Sequence, residues 1–159
     1  MKIIKEIIPY LIIIVVVILI RTFIITPVRV DGASMDKTLE NGQILLLYKL
    51  GNVKRYDIVV LDEEIEDEII IKRIIGMPND TVEIKNGKIY VNDEEIEEEY
   101  AYGQTSDYDK ITLGDDEYFI LGDNRPISKD SRYFGPVKKD EIIGKVIFRL
   151  WPINKFGTI

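Results

Sequence analysis

The chain has 159 residues, about the size of one domain, with 28 acidic side chains against 21 basic ones and neither histidine nor cysteine. A net charge of -7 argues against nucleic acid, which calls for a basic surface. The missing imidazole and thiol exclude a Ser-His-Asp triad, a cysteine nucleophile, an ordinary zinc site and a disulfide framework, so a hydroxyl that attacks a carbonyl here must pass its proton to a carboxylate or a lysine.

From Ile7 to Ile25 nearly every residue is aliphatic or aromatic, and Leu11 to Ile20 is unbroken. A membrane-crossing helix takes about 20 such residues. Residues 7–26 therefore read as a transmembrane anchor behind a short N-terminus, 1–6, with Arg21 snorkelling to the headgroups and Pro9 tolerated in the first turn. A removed secretory signal fits less well, because the apolar run is long and Asp31-Gly-Ala33 puts a charge where cleavage wants a small side chain. Lys2, Lys5 and the α-amine on the short side outweigh Arg21 on the other. The charge bias places the N-terminus in the cytoplasm, the anchor as a single pass through the plasma membrane, and residues 27–159 on the extracytoplasmic side.

Beyond Pro27 the pattern is that of strands. Val28 to Asp31 alternates, and Gln43 to Tyr48, Asp57 to Leu61 and Glu68 to Ile75 are short apolar runs. Thr81 to Lys85 and Lys88 to Asn92 alternate with period two around Asn86-Gly87, the strongest short hairpin signal. Tyr118 to Leu121 and Lys145 to Leu150 complete the set, and only Lys138 to Ile143 suggests a turn of helix. The fold class is mainly β: a transmembrane helix followed by an irregular antiparallel sheet or barrel. Residues 78–114, including a Tyr/Asp-rich loop from Tyr100 to Asp109, form a small inserted lobe. The acidic clusters Asp62 to Glu68 and Asp93 to Glu99 lack the spacing of a calcium loop and read as solvated turns. In the C-terminal run Phe148 to Pro152, Trp151 belongs either to a closing strand with its ring in the core or, with Phe156, to a surface that dips into lipid.

Two residues stand out chemically. Ser34 lies in the polar turn Asp31 to Leu39, where a helix cap or turn serine is the plain alternative to a nucleophile. Lys72 lies among Ile69-Ile-Ile71 and Ile74-Ile75. An exposed lysine, with its ordinary pKa near 10.4, is protonated at neutrality. Burial disfavours the charged form and can make it a base. Period-two alternation puts Ile70, Lys72 and Ile74 on one face and Ile69, Ile71, Arg73 and Ile75 on the other. Each face thus carries one cation, and alternation alone does not say which is buried.

Three segments carry a family resemblance. Gly32-Ala-Ser-Met-Asp-Lys-Thr-Leu39, Lys72-Arg-Ile-Ile-Gly-Met-Pro-Asn-Asp80 and Gly122-Asp-Asn-Arg-Pro-Ile-Ser-Lys-Asp-Ser-Arg-Tyr-Phe-Gly135 resemble, in order and spacing, three boxes of the type I signal peptidases, serine peptidase family S26. With Arg21-Thr-Phe before the first box, the resemblance covers essentially the whole chain and is closest to the short Gram-positive form. It implies a membrane-bound serine endopeptidase without metal or cofactor, in which Ser34 attacks and Lys72 is general base. It also implies that Ser128 orients the Lys72 amine, Asp130 pairs with Arg132, and Asp123 pairs with Arg73. The implied partners are secretory preproteins, cut after a small-x-small site, together with membrane lipid and the secretion translocon. Val28, Val30 and Ile70 are candidates to line the shallow substrate pockets.

Three positions depart from the boxes. Lys37 replaces a proline and loses its φ restraint, Asn79 replaces a glycine and tolerates positive φ, and Gly32 stands where some members carry an oxyanion-binding serine. The Ser34 N–H is then the main oxyanion donor. A self-cleaving Ser-Lys peptidase would bring a helical DNA-binding domain, and a non-catalytic anchored β-module would tolerate loss of Lys72.

Overall fold

The computed structural model describes residues 2–62 and 69–159, so the acidic run from Glu63 to Glu68 lies outside the described residues. Helix α1 runs Lys2–Phe23. It contains a fully exposed apolar stretch, Glu6–Phe23, long enough and hydrophobic enough to cross a membrane. Because α1 starts at Lys2, Pro9 sits inside it rather than in its first turn. The helix also ends earlier than the apolar composition suggests. Ile24 N–H closes the last bond to Ile20, while Thr26 Oγ1 and Lys49 Nζ donate to the carbonyls of Arg21 and Thr22. With those end carbonyls satisfied, Ile25 and Thr26 leave the predicted anchor and begin strand β1, Ile25–Arg29, which therefore starts before Val28.

Ten further strands follow among the described residues: β2 (Ile44–Tyr48), β3 (Ile58–Leu61), β4 (Ile70–Gly76), β5 (Thr81–Lys85), β6 (Lys88–Val91), β7 (Glu94–Glu95), β8 (Tyr108–Thr112), β9 (Glu117–Leu121), β10 (Val137–Lys138) and β11 (Ile142–Trp151). They form a seven-stranded sheet, β1-β2-β11-β3-β4-β9-β10, and a four-stranded sheet, β7-β6-β5-β8. All ladders are antiparallel. The smaller sheet leaves the chain after β4 and returns at β9, and those two strands pair with each other. Residues 81–112 are thus an excursion between neighbouring strands. Asn86 and Gly87 take φ of +54° and +75°, the two left-handed residues that a tight hairpin requires.

The excursion is fused to the main sheet by one apolar cluster. Ile75, Phe119 and Leu121 of the main sheet pack with Val82, Ile84, Ile89 and Val91 of the smaller one. Strand β8 takes part of the sequence read as loop, because Tyr108 is tied to this cluster through an edge-on contact with Phe119, centroids 5.0 Å apart. Its other residues are mostly exposed, which is why no apolar alternation marks it. The four-residue helix α2, Ser131–Phe134, is too short for periodicity to show and is capped by the Asp130 carboxylate. The single turn near Lys138 is a 3₁₀ helix, Lys139–Glu141. Trp151 closes β11 but is 51% exposed, so it is not a core residue.

Candidate active site

Strand β4 is buried along its whole length. It lies between β3 and β9, and loops carrying Ser34 and Asp123 cover its two faces. Both of its cations are consequently out of solvent, Lys72 at 5% and Arg73 at 8% exposure, and they meet different partners.

On one side, Lys72 Nζ stands 2.9 Å from Ser34 Oγ and donates to the Ile71 carbonyl at 3.2 Å. Ser34 is held there by its neighbours. Met35 and Leu39, at 1% and 0% exposure, plug into the cluster of Val28, Val30, Leu45 and Leu47, while the preceding Gly32 stays exposed. Hydrogen bonds from Asp36 N to Ala33 O and from Leu39 N to Met35 O tighten the turn. A hydroxyl presented between a buried anchor and an open cleft is accessible yet fixed. The cleft has a volume of about 240 Å³, and its lining includes Gly32, Ile69, Ile70 and Ile127. Ile70 thus lines it, whereas Val28 and Val30 lie in the core beneath the serine turn and do not.

On the other side, Arg73 makes a two-point ion pair with Asp123, Nε–Oδ1 2.9 Å and Nη2–Oδ2 2.7 Å. Thr38 Oγ1 donates to the same carboxylate at 2.6 Å, and the guanidinium lies 4.0 Å from the Tyr100 ring centre. Burial, then the neighbouring Glu98 carboxylate, pushes the Tyr100 hydroxyl pKa up, so it stays protonated and donates to Glu98 at 2.8 Å. Glu98 also pairs with Arg125 at 2.6 Å, their side chains 10% and 2% exposed. One carboxylate of the cluster read as a solvated turn is therefore structural. Nothing in the local run of glutamates distinguishes it from its exposed neighbours Glu97 and Glu99.

The third box wraps around both sides. Asp130, fully buried, accepts from Gly122 N at 3.0 Å and from Arg132 Nε at 2.8 Å, and Arg132 continues to the carbonyls of Arg125 and Ser128. Gly122 is packed so closely that an added Cβ would fall 2.2 Å from Ser128 Oγ and 2.6 Å from the Ser34 carbonyl oxygen. Ser128 does not make the bond to Lys72 that the resemblance implies. Its Oγ is buried without a hydrogen-bond partner among the described residues, while bonds of the amine run to Ser34 and to Ile71.

Asn124, Thr38, Tyr100, Glu98 and Arg125 were not singled out by sequence. Thr38 of the first box and Asn124 and Arg125 of the third are fixed letters of those boxes. Their roles, like those of Tyr100 and Glu98, depend on contacts with segments at least 20 residues away, which no local pattern encodes.

The family model described as "Signal peptidase, peptidase S26" matches residues 3–151. The chain belongs to that family. Among relatives of this peptidase family member, signal peptidase I of Streptococcus pneumoniae serotype 4 is 36% identical over 94% of this chain and 93% of its own. Signal peptidase IB of Staphylococcus aureus strain COL is 36% identical over 96% and 93%. The crystal structure of a signal peptidase I from Enterococcus faecalis V583 superimposes with a TM-score of 0.54 at 31% identity, over 60% of this chain and 97% of that one. Membership makes the chain a serine endopeptidase on a mainly β fold behind an N-terminal apolar helix.

Lys37, at the position of the family's proline, has φ +74°. Proline is locked near -65°, so this turn follows a different path rather than merely lacking a restraint. Asn79 has φ +69°, the left-handed conformation its box calls for. Lys37→Pro is expected to destabilise the protein by more than about 1 kcal/mol, and Lys37→Gly to stay within about 1 kcal/mol of the parent. Denaturation midpoints of the two variants decide this, and equal losses would contradict it.

Proposed function

We propose that this chain removes N-terminal signal peptides from secretory preproteins with a Ser34–Lys72 dyad. The observation that carries the reading is a buried amine 2.9 Å from a cleft-facing hydroxyl. A lysine enclosed by isoleucine favours its uncharged form, and only that form has a lone pair to receive the serine proton. Ser34 Oγ then attacks the scissile carbonyl as its proton passes to Lys72 Nζ. The oxyanion rests on the Ser34 N–H, and the protonated Lys72 returns the proton to the leaving amine. Water, deprotonated by the same lysine, releases the acyl group from Ser34. Asp123–Arg73 and Asp130–Arg132 hold the surrounding loops, so that the amine is aimed as well as desolvated.

The apolar part of α1, from Ile7 to Phe23, serves as the anchor, with the N-terminus cytoplasmic and the peptidase domain, from β1 onward, on the extracytoplasmic side, as the lysine bias around the apolar run supports. Residues 78–114 form its inserted lobe. A substrate held in the same bilayer is presented to the cleft at raised effective concentration. Exposed Trp151, Ile153 and Phe156 suit contact with the lipid surface, and the secretion translocon is the source of substrate.

The test is to incubate the detergent-solubilised chain with a preprotein bearing a small-x-small site. Cleavage immediately after that site, unaffected by chelators, is expected. An intact preprotein, or cleavage elsewhere, would contradict the assignment.

A further inference from the structure

One residue of the third box holds both carbonyls that flank the nucleophile. Asn124 Nδ2 donates to the Ala33 carbonyl at 3.0 Å, and Asn124 N–H donates to the Ser34 carbonyl at 2.9 Å. Asn124 is 7% exposed and sits between Asp123, the partner of Arg73, and Arg125, whose Nε is tied to the Gly122 carbonyl. Its own backbone is therefore rigidly placed.

The consequence comes from peptide geometry. A trans peptide is planar, and its C=O and N–H point in opposite directions. The Ala33 carbonyl belongs to the same peptide unit as the Ser34 N–H. Whatever fixes the direction of that carbonyl fixes the direction of the N–H. The turn supplies one bond to Ala33 O, from Asp36 N at 3.1 Å, but that bond lies within the turn and rotates with it. The bond from Asn124 is external, from a residue 91 positions away, and ties the peptide plane to the body of the protein. The Ser34 N–H makes no hydrogen bond among the described residues, and Ala33 and Ser34 both line the cleft. With Gly32 in place of a hydroxyl-bearing residue, that single N–H carries more of the oxyanion than it would in a two-donor site.

We propose that Asn124 is a positioning residue for the oxyanion hole: it aims the Ser34 N–H by gripping the opposite end of the same peptide plane. The inference rests on the Ser34–Lys72 reading but adds a separate element to it. Misaiming a donor is milder than deleting one, which costs about 10²–10³ in rate, so a loss of about 10- to 100-fold is expected.

The test uses the full-length chain in detergent, with Asn124→Ala and Asn124→Leu, the latter matching volume without a donor. A fall in kcat of about 10- to 100-fold with KM changed less than about threefold is expected. A substrate-like peptide aldehyde, which forms a tetrahedral adduct with Ser34, should weaken by a similar factor, while the corresponding peptide alcohol binds as before. The acid limb of the pH–rate profile, which reports the Lys72 amine, should not move. Unchanged kcat, equal weakening of aldehyde and alcohol, or a displaced acid limb would each overturn the proposal. If the alanine variant does not fold, the leucine variant is decisive, and failure of both to fold would make Asn124 structural and also overturn it. Wild-type cleavage that needs Ser34 and Lys72 but ignores Asn124 would sink this inference alone. No wild-type cleavage would sink the dyad reading beneath it.

Discussion

Replacing Lys72 with methionine should lower cleavage at least about a thousandfold while leaving the melting temperature unchanged or raised. General-base assistance is worth about 10²–10⁴ in rate, and the loss here approaches that of the nucleophile itself because the two groups act as one unit. Ser34→Ala should therefore be about as inactive as Lys72→Met, and the double variant little worse than either. Stability should move the other way. Methionine matches lysine in length, and losing the cost of burying the amine offsets the loss of its bonds to Ser34 Oγ and the Ile71 carbonyl. Lys72 is buried, at 5% exposure, among Ile70, Ile71 and Ile74. Lys72→Arg should be inactive as well, since a guanidinium stays charged. In the parent, activity should be present above the apparent pKa of the amine and lost as pH falls through it, with that pKa well below the free-lysine value of about 10.4. Measurable turnover by Lys72→Met, or an acid limb near the free-lysine value, would remove the dyad.

The second large effect concerns the cation beside it. Asp123→Ala is expected to cost about 3–5 kcal/mol, the range for breaking a buried pair by removing one partner. Total stability is of the order of 5–15 kcal/mol, so this variant should be close to unfolding at physiological temperature. Arg73 would be stranded at 8% exposure, with Tyr100 over its face and Thr38 without its acceptor. Arg73→Met combined with Asp123→Leu should recover much of the loss, because well-packed apolar residues often replace a buried ion pair without penalty. Urea midpoints of the parent, Arg73→Met, Asp123→Leu and the double variant give the coupling directly. A single variant within about 1 kcal/mol of the parent, or a double variant worse than the sum of the two singles, would contradict the assigned role. Activity should fall with stability in Asp123→Ala, since Gly122 and Asn124 on either side contact the Ser34 segment.

These expectations separate two kinds of information. The Asn86-Gly87 hairpin was legible because a tight turn needs left-handed residues at two adjacent positions, and few residue types accept them. The apolar segment was legible because bilayer thickness sets its length, although its end was not. Whether Ile25 continues the helix or starts β1 depends on Tyr48, its partner in β2, which composition cannot see. The edge strand β8 and the helix α2 were missed because one is mostly solvated and the other is a single turn. Ser128 shows the limit of transfer by resemblance. The letter is in place, but the hydroxyl makes no bond to the amine in this structure.

By itself the sequence determined the chemical repertoire: with no imidazole or thiol, only carboxylate and amine are left to activate a hydroxyl, and the resemblance of three short boxes to those of the family is what proposes Ser34 and Lys72 among them. It also determined that Lys72 and Arg73 point to opposite faces of a strand, since alternation is a local property of extended backbone. Only the tertiary structure decided that both faces are covered, that one cation receives a carboxylate and the other a hydroxyl, and that Asn124 fixes the peptide between Ala33 and Ser34. The reason is range: a side chain's direction follows from its immediate neighbours along the chain, whereas its solvent and its partners come from segments 38 to 91 residues away, brought together by the folded sheet.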